Sequence, residues 1–220
     1  MFLNSEKVLN VKELKSLKGI DQIERYRTYT NNFSPEGLAK LKPEEVLHLN
    51  LCNWLEPKAR IINARIKDIG GLKVRQIHNG IECISEIYEF DLFHSLLGEV
   101  NPGFTNCHTK GGHLFIPELK AALLDIGEIK PLKNGFFDLG IKYKGKASLN
   151  FKDNSYFPAG TSVEQAVGMI EKAIANIEKI ENVTGKGRID KVIYQIELYN
   201  NQAFRLCIKN KTATFFPFFE

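Results

Sequence analysis

Apolar residues recur at near-helical spacing through the first third of the chain. Val8, Leu9, Val11, Leu14 and Leu17 fall along one helical side, and Gly19 follows as a stop. Ser34-Pro35-Glu36 sets proline in a first helical turn, where its missing N–H costs nothing. Pro43-Glu44-Glu45 opens a helix carrying Val46, Leu47, Leu49, Leu51, Trp54 and Leu55. Beyond Pro57, residues Ala59 to Ile69 continue it with Ile62, Ile66 and Ile69 on one face, and Gly70-Gly71 ends it. Residues 5 to about 70 thus predict a helical region. After Gly71 the pattern shortens. LKVRQIH and IECISEIYEF read as two strands joined at Asn79-Gly80, because both turn positions tolerate positive φ.

Ile116 to Ile126 fits either a short helix or an irregular connection. Phe136 to Tyr143 and Ala147 to Phe151 predict a second hairpin, with Lys144-Gly145-Lys146 at its tip. Ser162 and Gln165 have the spacing of a capping box, and Val163, Val167, Ile170, Ile174 and Ile177 form one apolar stripe behind it. Thr184-Gly185-Lys186-Gly187 breaks that helix. Val192, Tyr194, Ile196 and Leu198 then alternate with polar residues, Asn200-Asn201 turns the chain, and Phe204, Leu206 and Ile208 alternate again before Thr212–Pro217 closes a third hairpin. The pattern predicts an α+β fold. A helical region precedes two antiparallel sheet lobes, and a long helix lies between the last two hairpins. The expected division is residues 1–88, helices with the first hairpin, and residues 89–220, the part that carries the chemistry.

Composition narrows the class without naming a task. The chain has 220 residues, 43% hydrophobic and 25% charged, with a net charge of +4, which suits an ordinary globular protein and is compatible with a polyanionic partner. No apolar run approaches the roughly 18 residues of a membrane span. MFLNSEKVLNVKELK has no basic start followed by an apolar core, so no signal peptide is expected. The expectation is a soluble chain, either cytoplasmic or carried as part of a secreted toxin. Cys52, Cys83, Cys107 and Cys207 form no CxxC pair, which argues against a zinc ribbon and a disulfide framework.

Candidate chemistry concentrates between His94 and His113, where His94, His108 and His113 lie among Gly98, Gly103, Gly111 and Gly112. Glycine lets backbone turn tightly and approach a ligand closely, and imidazole exchanges protons near neutral pH. Metal-free RNA cleavage needs a group to take the 2′-hydroxyl proton, another to protonate the departing 5′-oxygen, and a cation for the phosphate. Two histidines and a lysine satisfy that need. Base recognition adds a hydroxyl and an aromatic face. The parts occur in order: His94, then His113 or His108, then Lys152, with Ser155 and Thr214 as hydroxyls and Phe216 and Tyr156 as aromatic faces. Taken singly, Lys152 is an ordinary strand-end lysine, Ser155 and Thr214 are turn residues, and Phe216 is core. His48 reads as a packed or half-exposed helix residue and His78 as an exposed turn residue. No catalytic or structural metal is expected, although Cys107, His108 and His113 leave a metal-dependent hydrolase as a rival.

In this order the sequence resembles the EndoU-type endoribonucleases, which include a coronaviral uridylate-specific enzyme, animal relatives and bacterial toxin domains. His94-Ser95-Leu96-Leu97-Gly98-Glu99 matches the family's H-x-x-x-G-E segment. Gly111-Gly112-His113 matches its Gly-rich second histidine, Lys152 and Ser155 its lysine–serine pair, and Thr214-Phe215-Phe216-Pro217 its closing Thr-x-Tyr-Pro phrase. The resemblance covers residues from about 90 to 217. It implies metal-independent endonuclease cleavage of RNA that leaves a 2′,3′-cyclic phosphate, with manganese stimulation in some members. It also implies RNA as partner, tRNA among the candidate targets, and an immunity protein where the member is a toxin. Two departures stand out. His113 lies 19 positions after His94, against 14 for His108, and the family's last tyrosine is Phe216. Stacking survives that second change and a hydroxyl hydrogen bond does not. A non-catalytic RNA- or protein-binding module on the same fold is the alternative.

Overall fold

Helix α1 (Pro43–Asp68) runs through Pro57 as one 26-residue element, joining the stretches on either side of that proline. The computed structural model describes residues 43–78, 81–98, 111–145, 150–177, 185–188, 191–198 and 202–217. The helical pattern read before Pro43 lies outside them. Gly71 donates to the Ile66 carbonyl at 2.8 Å to end α1, and Gly70 and Gly71 both hold positive φ, as the double glycine predicts. Strands β1 (Leu72–His78) and β2 (Ile81–Ile87) form an antiparallel ribbon with His78 opposite Ile81; Asn79-Gly80, read as its turn, lies outside the described residues.

The remaining strands build two further sheets. β3 (Glu89–Phe90), β7 (Gly185–Arg188), β8 (Lys191–Leu198), β9 (Gln202–Lys209) and β10 (Thr212–Pro217) make a five-stranded sheet in the order β3-β10-β9-β8-β7. It is mixed, because β3 runs parallel to β10. β4 (Leu124–Pro131), β5 (Phe137–Tyr143) and β6 (Lys152–Tyr156) make a three-stranded antiparallel sheet. The α+β class and the helix between strand groups are as read from the sequence. The third hairpin is part of a longer meander, and the first is a separate two-stranded ribbon.

The second hairpin needs a correction. Its returning strand is Lys152–Tyr156, not Ala147–Phe151; residues 146–149 lie outside the described set, and Phe151 is 48% exposed. Strand β4 occupies residues whose pattern suggests only the end of a helix or a connection. Helix α3 (Pro117–Leu123) passes directly into it, and a bulge between Ile126 and Ile129 breaks its alternation.

Helix α4 (Val163–Ile177) buries Val163, Ala166, Val167, Ile170, Ala173, Ile174 and Ile177. Its capping box closes both ways: Ser162 N–H donates to Gln165 Oε1 at 2.8 Å, and Gln165 N–H donates to Ser162 Oγ at 3.2 Å. The principal core crosses position 88. Leu51, Leu55, Ile62 and Ile66 of α1 and Leu72 and Ile87 of the ribbon share it with Phe90, Ile170, Phe204 and Phe215. A second core of Leu124, Phe137, Leu139, Ile141 and Tyr156 lies under the three-stranded sheet. Among the described residues no helix is long and apolar enough to cross a membrane.

Candidate active site

His94 is carried by a one-turn helix, α2 (Leu92–Leu96). Asp91 caps it by accepting from the His94 N–H at 2.9 Å, which satisfies an N–H that so short a helix leaves without a partner. Ser95, almost fully buried, ties α2 to the large sheet. Its hydroxyl donates to the Asp91 carbonyl at 2.7 Å and accepts from the Phe215 N–H at 3.0 Å.

The Gly111-Gly112-His113 segment lies across the C-terminal end of α2. Gly112, His113 and Leu114 donate in turn to the carbonyls of His94, Ser95 and Leu96 at 2.8, 2.9 and 3.1 Å. These bonds satisfy carbonyls that α2 leaves open. Both glycines are required there. At Gly111 a Cβ would land on the His94 carbonyl and 2.7 Å from its ring Cδ2; at Gly112 it would meet the Leu97 carbonyl at 2.9 Å. Both also hold positive φ, at 68° and 69°. Gly111 and Gly112 thus have one geometric purpose, to let the His113 segment pack across the short helix that carries His94.

His113 is 6% exposed and bridges to the small sheet. Its Nδ1–H donates to the Ser155 carbonyl at 2.6 Å, and its own carbonyl accepts from Phe157 at 2.9 Å. That leaves Nε2 as the acceptor nitrogen of the neutral ring. Phe216 of β10 stacks on the imidazole with 5.8 Å between centroids. Burial drives the His113 pKa down to about 3, the Ser155 bond opposes this, and the Lys120 and His94 charges lower it further. Thr214, two residues before Phe216 on β10, shares its strand face, and its hydroxyl reaches the Cys207 carbonyl at 3.5 Å.

Strand alternation decides the fate of the Lys152–Ser155 pair. Asn154 reaches across to the Gly111 carbonyl at 3.3 Å, so its face of β6 looks toward the histidine segment. Lys152 lies on that face, exposed, roughly 7 Å along the strand from Asn154. Ser155 points the other way. Its hydroxyl donates to Asp138 at 2.6 Å, beside Asp153, which pairs with Lys130 at 2.7 Å. Ser155 therefore addresses His113 through its main chain, and its hydroxyl does not face the imidazoles as a base-reading group would. Tyr156 also departs from expectation. It is fully buried, stacked on Phe137 at 5.5 Å and met edge-on by Phe115 at 5.8 Å, so it presents no open aromatic face. His108, the rival second histidine, lies outside the described residues, as does Cys107.

Other contributors carried no sequence signal. Ser95, Asn154 and Asp138 are single polar residues with partners distant in the chain, whereas Asp91 is a local cap three residues before His94. Lys120 of α3 is buried and donates to the Gly112 carbonyl at 2.9 Å, and burial lowers its pKa to about 8. His48 of α1 is half-buried, within the packed or half-exposed reading, and burial and then the Lys120 charge lower its pKa to about 4. Among the described residues no group of three His, Cys, Asp or Glu side chains could hold a metal ion. A cavity of about 300 Å³ borders Phe93 but is lined otherwise by α1 and Glu89, without either imidazole.

Comparison with family models, with curated proteins and with solved structures gives no match.

Proposed function

We propose that this protein is a metal-independent RNA endonuclease that cleaves by transphosphorylation. The observation that carries the reading is the packing of the His113 segment across the short helix that carries His94. His113 is fixed as the Nδ1–H tautomer and held neutral, while His94 is half-buried with its ring against Gly111. In the proposed reaction His113 Nε2 accepts the 2′-hydroxyl proton. The 2′-oxygen attacks phosphorus, the P–O5′ bond breaks, and His94 supplies a proton to the leaving 5′-oxygen. The products are a 2′,3′-cyclic phosphate and a 5′-hydroxyl. An imidazole with a pKa near 3 is a weak base in the free protein. The negative phosphate favours its charged form, so substrate binding raises its basicity when the proton must move. Lys152 approaches the phosphate from the β6 face, and the Phe216–Thr214 edge of β10 offers an aromatic ring and a hydroxyl to the base.

The test is incubation of the purified protein with total RNA in EDTA, followed by analysis of fragment ends. Cyclic-phosphate termini are expected. His94→Ala and His113→Ala should each lower the rate by about 10²- to 10⁴-fold, the usual weight of a general acid or base. Wild-type rates in both variants would end the reading. A second reading, a non-catalytic RNA- or protein-binding module, is favoured by the burial of His113 and by the commitment of the Ser155 hydroxyl to Asp138. It calls for salt-dependent RNA binding without new fragment ends. Service as a toxin domain with an immunity partner rests on the resemblance alone. Growth arrest on expression, abolished by His94→Ala, is its test.

A further inference from the structure

We propose that Lys120 is a positioning residue of the two-imidazole site, holding the Gly111-Gly112-His113 segment through the Gly112 carbonyl and keeping a positive charge beside the His113 ring. The proposal rests on the reading of His113 as the proton acceptor.

Lys120 is 5% exposed, and among the described residues no carboxylate forms an ion pair with it. A buried ammonium without an anionic partner costs desolvation energy and adds little to stability that an apolar side chain of equal length would not. What it supplies here is local. Its Nζ donates to Gly112 at 2.9 Å, at the turn that delivers His113, and lies 5.3 Å from the centre of the Tyr156 ring. A Cβ on Gly112 would lie 2.9 Å from that Nζ, so glycine is also what lets the ammonium close on the segment. The groups facing Lys120 come from three directions: His48 from α1, Tyr156 from β6, and His113 from the glycine segment. His94 acts on His113 from α2. Tyr156 is held protonated by burial, its pKa pushed up to about 12, with the nearby Asn154 amide opposing. No negative charge therefore offsets the ammonium from the groups named. Both neighbouring imidazoles are held neutral in part by it. For a segment whose histidine must start as an acceptor, the buried donor fixes the geometry, and its charge adds to the burial that already holds the ring neutral.

Two variants of the full chain test this by nitrogen and carbon NMR of the His113 ring. Lys120→Met removes donor and charge; Lys120→Gln keeps a donor and removes the charge. The expected result is that His113 begins to protonate at a pH about half a unit to one unit higher in both variants. The Nδ1–H tautomer signature should persist in Lys120→Gln and weaken in Lys120→Met. On RNA, Lys120→Met should lower kcat roughly tenfold with KM little changed, an effect confined to the chemical step. Folded variants whose His113 signature and protonation match wild type would overturn the proposal. Collapse of Lys120→Met alone leaves Lys120→Gln to decide, and collapse of both assigns Lys120 to the core and ends the proposal. A wild-type protein that never cleaves RNA removes the nuclease reading, while the His113 titration still decides the role of Lys120.

Discussion

Replacing Gly111 by alanine perturbs the site at its narrowest point. Gly111 holds φ at +68°, and an L-residue there costs about 1–2 kcal/mol from backbone sterics alone. The added Cβ would also fall on the His94 carbonyl, the acceptor of the 2.8 Å bond from Gly112. Losing or lengthening that bond costs about 1 kcal/mol, and the overpacking itself about 1–3 kcal/mol. The expected total is about 3–6 kcal/mol. Gly160→Ala is the matched control, since Gly160 has φ at +81° but nothing within 4 Å of the point a Cβ would occupy. It should cost only the backbone part, about 1–2 kcal/mol. Urea unfolding followed by circular dichroism measures both. With a slope of about 2–3 kcal/mol per molar urea, the midpoint should fall by about 1–3 M for Gly111→Ala and by roughly 0.3–1 M for the control. Equal, small shifts in the two variants would refute the packing of the glycine segment against α2.

Three further outcomes are expected. Ser95→Ala strips the buried hydroxyl that accepts from Phe215 and should destabilise by about 1–3 kcal/mol, measured by the same unfolding curve. Ser162→Ala removes one half of the α4 capping box at an exposed site and should cost about 1 kcal/mol, with no change at the imidazoles. The pH dependence has a definite sign. The folded pKa values of His48 and His113 lie at about 4 and about 3, below the ordinary value of 6.5, so the unfolded chain binds more protons in between. Their contribution to stability is complete above pH 6.5 and falls as pH drops toward the folded values. His113→Gln should flatten that fall by about 1 kcal/mol or more at pH 5; an unchanged slope would show that His113 is not held neutral.

Helix α4, its capping box and the glycine stop after α1 were legible in the sequence because each is a local arrangement. A stripe of apolar residues at helical spacing, a serine three residues before a glutamine, and two glycines beyond a last isoleucine state their own geometry. The meander of β8 and β9 was legible for the same reason, since one face of those strands alternates apolar residues. The histidine segment was visible as chemistry. Its purpose in packing was not, because the surface that makes Gly111 and Gly112 necessary belongs to α2.

Strand β6 shows what the chain alone did not disclose. KDNSY has no apolar alternation, and its polar residues are satisfied by Gly111, Lys130 and Asp138, which are remote in sequence. Once residues 152–156 are known to be extended, side-chain alternation separates Lys152 from Ser155, since an odd spacing puts them on opposite faces. Local sequence determined which segments could be helix and which residues could exchange protons. Tertiary structure decided which face of β6 meets the histidines, that Tyr156 is core, and that a lysine on α3 lies buried beside His113. The reason is that burial and strand-face choice depend on partners brought together only when the chain has folded.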